Sequence, residues 1–289
     1  MAAPLASIGI PVHNGGAAFS CALASLRAQT IDNLEIVIAD NASTDETKEV
    51  AEQAAYEDAR VHHVRSERLL APWENFQRAF GLCSGEWFHW ACHDDWIEPD
   101  FMARCIARGE ADDRIVTVIS GTREVDSDGS TIRFVVESLP RSNDARATRR
   151  VRSVLWHLDA GASVGLGVHR REALARTSLI TNVAQPDRLL ALELARLGRI
   201  AVLPDVLQHR LQGAGHRQRD ELAWLDPRNS GSRFAPIAQQ ARSHAAALED
   251  GPWPPRARWL TRAEVWAAVL AWRLRTKVRY EARLRRRMR

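Results

Sequence analysis

Two adjacent carboxylates, Asp94 and Asp95, follow a short apolar run, Glu86–Ala91, and stand between His93 and Trp96. Hard divalent cations take oxygen ligands. Mg2+ and Mn2+ are usually held by one or two carboxylates, with substrate phosphates completing the shell. The pair therefore suits a cation that carries a phosphorylated substrate. Read alone, the same dipeptide is a solvated turn with a helix cap, and so short a motif arises readily by chance. Asp40 closes another apolar run, Leu34–Ala39, and is followed by Asn41-Ala42-Ser43. A carboxylate at such a point can accept hydrogen bonds from a base edge or from ribose hydroxyls. Its structural alternative is capping of the next helix, for which Ser43 and Thr44 also serve. A third polar cluster, His13-Asn14-Gly15-Gly16, ends the run Ala6–Val12.

The elements that must position these clusters follow from periodicity. Strands are expected at 6–12, 34–39, 61–64 and 86–91, where short apolar runs end in turn residues. Helices are expected at 17–28, where Phe19, Leu23 and Leu26 have helical spacing, over a stretch opened by Thr44-Asp45-Glu46-Thr47, and at 73–83. Four strands joined by helices predict parallel pairing, because parallel strands need crossovers. The fold class is therefore α/β, a doubly wound sheet with helices on both faces. Ligands in such sheets bind beyond the carboxyl ends of the strands, so three polar strand ends converge on one cleft. Further along, a strand is expected at 115–120, a turn at Asp126–Gly129, a loop at 141–150 and a helix at 151–158. Residues 161–168 read as a strand or loop, 188–197 as an amphipathic helix ended by Gly198, and 200–207 as a strand. Residues 213–256 read as a loop region around a short helix, and 257–288 as a long basic helix.

Linked motifs then carry a resemblance. Ile10-Pro11-Val12-His13-Asn14, Asp40-Asn41-Ala42-Ser43-Thr44-Asp45, Asn75-Phe76-Gln77-Arg78-Ala79, Ser84-Gly85-Glu86 and His93-Asp94-Asp95 occur in the order and spacing of family 2 glycosyltransferases. The chain resembles that family over roughly residues 6–215. The resemblance implies a GT-A fold with a mixed sheet, and inverting transfer from a nucleoside-diphosphate sugar to an acceptor hydroxyl of a glycan, a lipid-linked carrier or a small molecule. It implies that Pro11, Val12 and Asp40, with His13, Asn14 and Asn41 beside them, hold the nucleoside. Asp94 and Asp95 would form the DxD-type motif for ribose and metal–diphosphate, and Asn75 and Arg78 would line the donor cleft. The implied cofactor is Mn2+ or Mg2+. The chemistry agrees: charge building on a diphosphate leaving group is stabilised by a metal clamp, and one-step inversion needs only a general base.

For that base the resemblance selects Asp187, just before the helix 188–197. Pro186 stands where the family usually has Glu, which leaves one carboxylate. The structural alternative for Asp187 is helix N-capping. Relatives often place a histidine near the metal after the strand matching 200–207. Here Gln212 occupies the matching position; either His209 or His216 substitutes or the site lacks that ligand, and Asp95 and His216 are the expected metal ligands.

Three other functions compete. Gly161-Ala162-Ser163-Val164-Gly165 matches G-x-S-x-G, with acids and histidines following in α/β-hydrolase order. That elbow demands a strand before Ser163 and a helix after it, and a hydrolase leaves Asp40 and Asp94-Asp95 unused. A nucleotidyltransferase would carry a basic loop after the first strand, whereas no basic residue precedes Arg27. A non-catalytic nucleotide-binding protein on the same scaffold is the remaining alternative.

Composition bounds these readings. Of 289 residues, 45% are hydrophobic and 26% charged, which excludes disorder and fibrous repeats. The four cysteines, Cys21, Cys83, Cys92 and Cys105, form no C-x-x-C pair and match a reduced, cytoplasmic protein. The net charge is +4, but residues 256–289 carry twelve Lys/Arg against two Glu, and the remainder has 28 basic against 34 acidic residues. The basic character belongs to the tail, so a nucleic-acid-binding body is not expected. No run reaches the ~18 apolar residues that span a bilayer, and the N-terminus lacks a basic signal-peptide region. The division expected is a catalytic domain over 1–215 and a loop-rich, helical extension over 216–289. Trp259, Trp266 and Trp272 in the basic helix suit either the inner face of a membrane or packing on the catalytic domain or on a second copy in a homodimer.

Overall fold

The computed structural model describes residues 3–136, 138–157, 161–183, 185–212, 242, 245–246 and 265–271. The chain begins β1 (Ala6–Val12), α1 (Gly16–Arg27), β2 (Leu34–Asp40), α2 (Thr47–Glu57), β3 (Val61–Arg65), α3 (Pro72–Leu82) and β4 (Trp87–Trp90). It continues through β5 (Trp96–Ile97), α4 (Phe101–Glu110), β6 (Ile115–Val125), β7 (Thr131–Val135), α5 (Ala147–Trp156) and α6 (Gly161–Gly165). The last described elements in order are β8 (Val168–Arg170), α7 (Arg171–Leu174), α8 (Pro186–Leu197) and β9 (Arg199–Leu211). Among the described residues these strands form one sheet in the order β3-β2-β1-β4-β8-β6-β9-β5, with β7 paired to the end of β6. The first four strands are parallel, as the crossover argument requires. β8 enters antiparallel between β4 and β6, which makes the sheet mixed.

Both faces of the sheet are covered, so β1 and β2 read as continuous apolar runs rather than alternating ones. Ile8, Ile10, Ile36 and Ile38 pack on one face against Phe19, Leu23 and Leu26 of α1 and Phe101, Met102 and Ile106 of α4. Val37, Ala39, Phe88 and Trp90 pack on the other against Ala79 and Phe80 of α3, Val151 and Val154 of α5 and Leu190 and Leu194 of α8. Close packing fixes Gly109 in α4, because a Cβ there would lie 2.2 Å from the Trp87 ring.

Several expectations change. Residues 161–168 are not a strand or loop: α6 occupies Gly161–Gly165 and β8 begins at Val168. Ser163 therefore lies inside a short helix and not on a strand-to-helix elbow, which removes the geometry a hydrolase nucleophile needs. The second helix starts at Thr47, and Asp45 accepts from the Thr47 amide at 3.1 Å. The expected loop at 141–150 gives way to α5 from Ala147. The basic tail is described only at 265–271, a helical stretch with Val265, Ala268 and Val269 buried in the core and Trp266 and Leu270 exposed. Trp259, Trp272 and His216 lie outside the described residues.

Candidate active site

The carboxyl ends of β1, β2 and β3 are sewn together by side chains. The Asn41 amide donates to the Val12 carbonyl at 2.8 Å, and His13 Nδ1 donates to the Asn41 carbonyl at 2.9 Å. Asn14, at φ 50°, donates its amide to Ser43 Oγ and accepts from the Thr44 amide at 2.7 Å. The Asn41 carboxamide exchanges two hydrogen bonds with the Leu70 backbone. The loops after the first two strands thus form one rigid wall.

Asp40 anchors that wall. Its side chain is fully buried and accepts from the Ser43 amide at 2.9 Å, from Arg65 Nη1 at 2.6 Å and from His63 Nε2 at 3.3 Å. Burial alone would raise its pKa, but the hydrogen bonds from Ser43, Arg65 and His63 outweigh it and hold the carboxyl below its ordinary value. Asn75 and Arg78 lie behind the wall. Asn75 is buried and donates to the Ala39 carbonyl at 2.8 Å, while Arg78 donates to the carbonyls of Val64 and Asp40. Burial lowers the Arg78 pKa against the pull of Asp40. Both brace the strand ends from α3 through main-chain oxygens.

At the end of β4, the Cys92 Sγ and one carboxylate oxygen each of Asp94 and Asp95 lie within 4.8 Å of one another. Asp95 is held from the far strand: its Oδ1 accepts from the Leu211 amide at 3.1 Å, and Arg210 Nε lies 3.8 Å from Oδ2. Burial, with the Asp95 and Asp94 charges beside it, pushes the Cys92 thiol far above its ordinary pKa. Two carboxylates on an anchored turn fit a hard divalent cation whose remaining positions are filled by water or phosphate.

His209 takes no part as a ligand. Its Nδ1 accepts from Arg123 Nε at 2.9 Å, so Nε2 carries the proton and donates to Glu98 Oε1 at 2.6 Å. Burial lowers its pKa, Glu98 opposes that, and the Arg123 charge adds to it. The Trp96 ring stacks on it at 5.3 Å and 12°. Of the two substitute histidines the sequence offers, His209 is thus spent on packing β5 against β9, and His216 is not described.

Asp187 occupies the first turn of α8, whose N-cap is Gln185 in the left-handed region. The capping position is therefore not Asp187. A Cβ built on Gly165 would lie 3.5 Å from the Asp187 Cβ, so the α6–β8 turn abuts the start of α8. The next residue, Leu166, lines one small cavity with Cys92 and Asp95. One turn thus touches both the Asp187 side and the Asp95 side.

Sequence reasoning missed Arg65 and Gln208. Arg65 ends β3 opposite Asp40 in register, so extending the strand-end rule to the third strand would have found it. Gln208 carried no motif and is identified only by the fold.

A family model for glycosyl transferase family 2 matches residues 7–172, more than half of the chain and all of the wall and the Asp94-Asp95 turn. The chain belongs to glycosyl transferase family 2. A chondroitin synthase of Escherichia coli is 30% identical over 129 residues, covering 45% of this chain and 19% of that protein. The chain spans well under half the length of the first curated relatives it matches. Among solved structures, residues 1–349 of S. aureus TarS in complex with UDP-GlcNAc align with a TM-score of 0.66 at 17% identity. That alignment covers 92% of this chain and 72% of that one. The mannosyltransferase PcManGT from Pyrobaculum calidifontis, in complex with GDP-Man and Mn2+, aligns with a TM-score of 0.57 at 19% identity over 94% and 75%. These structures establish the GT-A fold for this chain.

Proposed function

We propose that this family 2 glycosyltransferase moves a sugar from a nucleoside-diphosphate donor to an acceptor hydroxyl with inversion. The observation that carries the reading is the paired carboxylate turn at the end of β4, anchored to β9 and set beside the wall built on Asp40. Pro11, Val12, His13, Asn14, Asp40 and Asn41 form the nucleoside side, with Asn75 and Arg78 as its brace. Asp94 and Asp95 would hold Mn2+ or Mg2+, and the cation would supply charge neutralisation on the leaving diphosphate. Asp187 takes the proton of the attacking hydroxyl from the opposite side of the sugar. The fold neighbours solved with UDP-GlcNAc and with GDP-Man and Mn2+ support a nucleotide-sugar donor. Residues 1–215 are the proposed catalytic unit, acting in the cytoplasm. No helix among the described residues is long and apolar enough to cross a membrane. The exposed Trp266 and Leu270, with the basic tail, are the surface proposed for a membrane face or a second copy.

A thermal-shift screen of nucleoside diphosphates with and without Mn2+ tests the reading. A ligand that binds only the native state raises Tm by mass action, by roughly 2.7 kcal/mol of added stability at a hundredfold excess over Kd. Cation-dependent stabilisation by one nucleotide is expected. No stabilisation by any nucleoside diphosphate would overturn the proposal.

A further inference from the structure

Three successive main-chain carbonyls in the turn between α6 and β8 are each held by a buried side chain from a different strand. The Gly165 carbonyl accepts from His169 Nε2 at 3.3 Å. The Leu166 carbonyl accepts from Gln208 Nε2 at 3.1 Å, and the Gly167 carbonyl from His89 Nδ1 at 3.1 Å. His89 lies on β4, His169 on β8 and Gln208 on β9. His169 is itself oriented, because its Nδ1 accepts from the Thr117 hydroxyl of β6 at 3.1 Å. All four side chains are buried. Gly167 is pressed against β6, where a Cβ would lie 2.9 Å from the Val118 carbonyl.

Buried main-chain carbonyls need donors, and apolar side chains over this turn would leave all three unpaired. What directional donors add is a fixed position for each carbonyl. At one end of this turn Asp187 stands beside Gly165, where a Cβ would come within 3.5 Å of the Asp187 Cβ, and Leu166 lines the Asp95 cavity.

We infer that His89, His169 and Gln208 are positioning residues for sugar transfer: they lock the 165–167 backbone, which sets Asp187 at a fixed place relative to Asp95. The inference rests on Asp187 being the general base. Reaching the attacking hydroxyl demands placement within fractions of an ångström, and a misplacement of ~1 Å can cost ~10²-fold in rate.

A double-mutant cycle on the full chain tests this, with donor hydrolysis as the reaction, so that water takes the acceptor's place. The donor is whichever of UDP-GlcNAc and GDP-mannose the chain hydrolyses with Mn2+. Gln208→Met keeps side-chain length and removes the donor. It should lower kcat by about 10–100-fold while the Mn2+-dependent thermal shift given by UDP or GDP stays at the wild-type value. In an Asp187→Asn background the same change should cost nothing further, because the base it positions is gone. His169→Gln keeps an amide donor where Nε2 stood and should retain most of the rate, whereas His169→Leu should not. Multiplicative losses in the cycle, or a Gln208→Met enzyme with wild-type kcat, would overturn the positioning role and leave the base intact. An Asp187→Asn enzyme with wild-type kcat would overturn the base reading and the positioning role with it.

Discussion

Asp40 and Arg65 stand opposite each other at the ends of β2 and β3, and Arg65 Nη1 donates to Asp40 Oδ2 at 2.6 Å although that carboxylate has no exposed surface. One end of the pair is open, since about a third of the Arg65 side chain is exposed. Asp40→Asn should therefore destabilise by about 3 kcal/mol, at the low end for a broken buried pair. Urea denaturation would show it as a lower midpoint with an unchanged slope. The sign with pH follows from the lowered pKa: the stabilisation is present above the ordinary carboxylate value and is lost as pH falls through the folded one. A variant as stable as the parent would mean that the pair's attraction merely balances its desolvation.

His89 and His169 make the protein acid-sensitive. Burial depresses both, His89 to about 4 and His169 to about 3, with the His89 charge adding to the depression at His169. The unfolded chain binds protons near pH 6.5 while the native state does not, so stability rises with pH across that interval. Lowering the pH from 7 to 4 should remove about 3 kcal/mol through His89 alone. Denaturation at stepped pH checks this, and His89→Asn should make the profile shallower and leave the part due to His169. A flat wild-type profile between pH 7 and 4 would contradict it.

Asp95→Ala removes one carboxylate of the proposed cation site and the acceptor of the Leu211 amide. Nucleoside-diphosphate binding should lose its dependence on Mn2+, measured by calorimetry with and without chelator. Full activity in excess chelator would show that no cation clamps the leaving group.

Truncation before Trp259 removes Val265, Ala268 and Val269 from the core. A fully buried valine is worth ~1.5–3 kcal/mol, so Tm should fall by several degrees. An unchanged Tm would mean that this stretch adds nothing to the catalytic fold.

The parallel half of the sheet was legible because each strand is a continuous apolar run stopped by turn residues, and because Asp40, Asn14 and Asp95 stand at those stops. The apolar face of α4, Phe101, Met102, Cys105 and Ile106, has helical spacing and is legible in the sequence as well. β5 and β8 are strands of two and three residues whose pairing partners are distant in sequence, and no local pattern announces them; β7 is the return strand of a hairpin with β6 across the expected Asp126–Gly129 turn. α6 was misread because Gly161 and Gly165 have poor helix propensity and tertiary packing overrides it. In the site, the types of Asp40, Asp94, Asp95 and Asp187 pointed to chemistry. The partly exposed Arg65 and the buried Gln208 and His169 did not, because their roles exist only once the strands are side by side.

The most direct measurement is kcat of Asp187→Asn beside its affinity for the nucleoside diphosphate. Asparagine keeps the size of the side chain and removes its basicity. General-base catalysis is worth ~10²–10⁴-fold, so kcat should fall by that order while nucleotide affinity and Tm stay at the wild-type values. A variant that keeps most of its kcat, or that loses affinity and stability together with rate, would contradict Asp187 as the base of an inverting transfer.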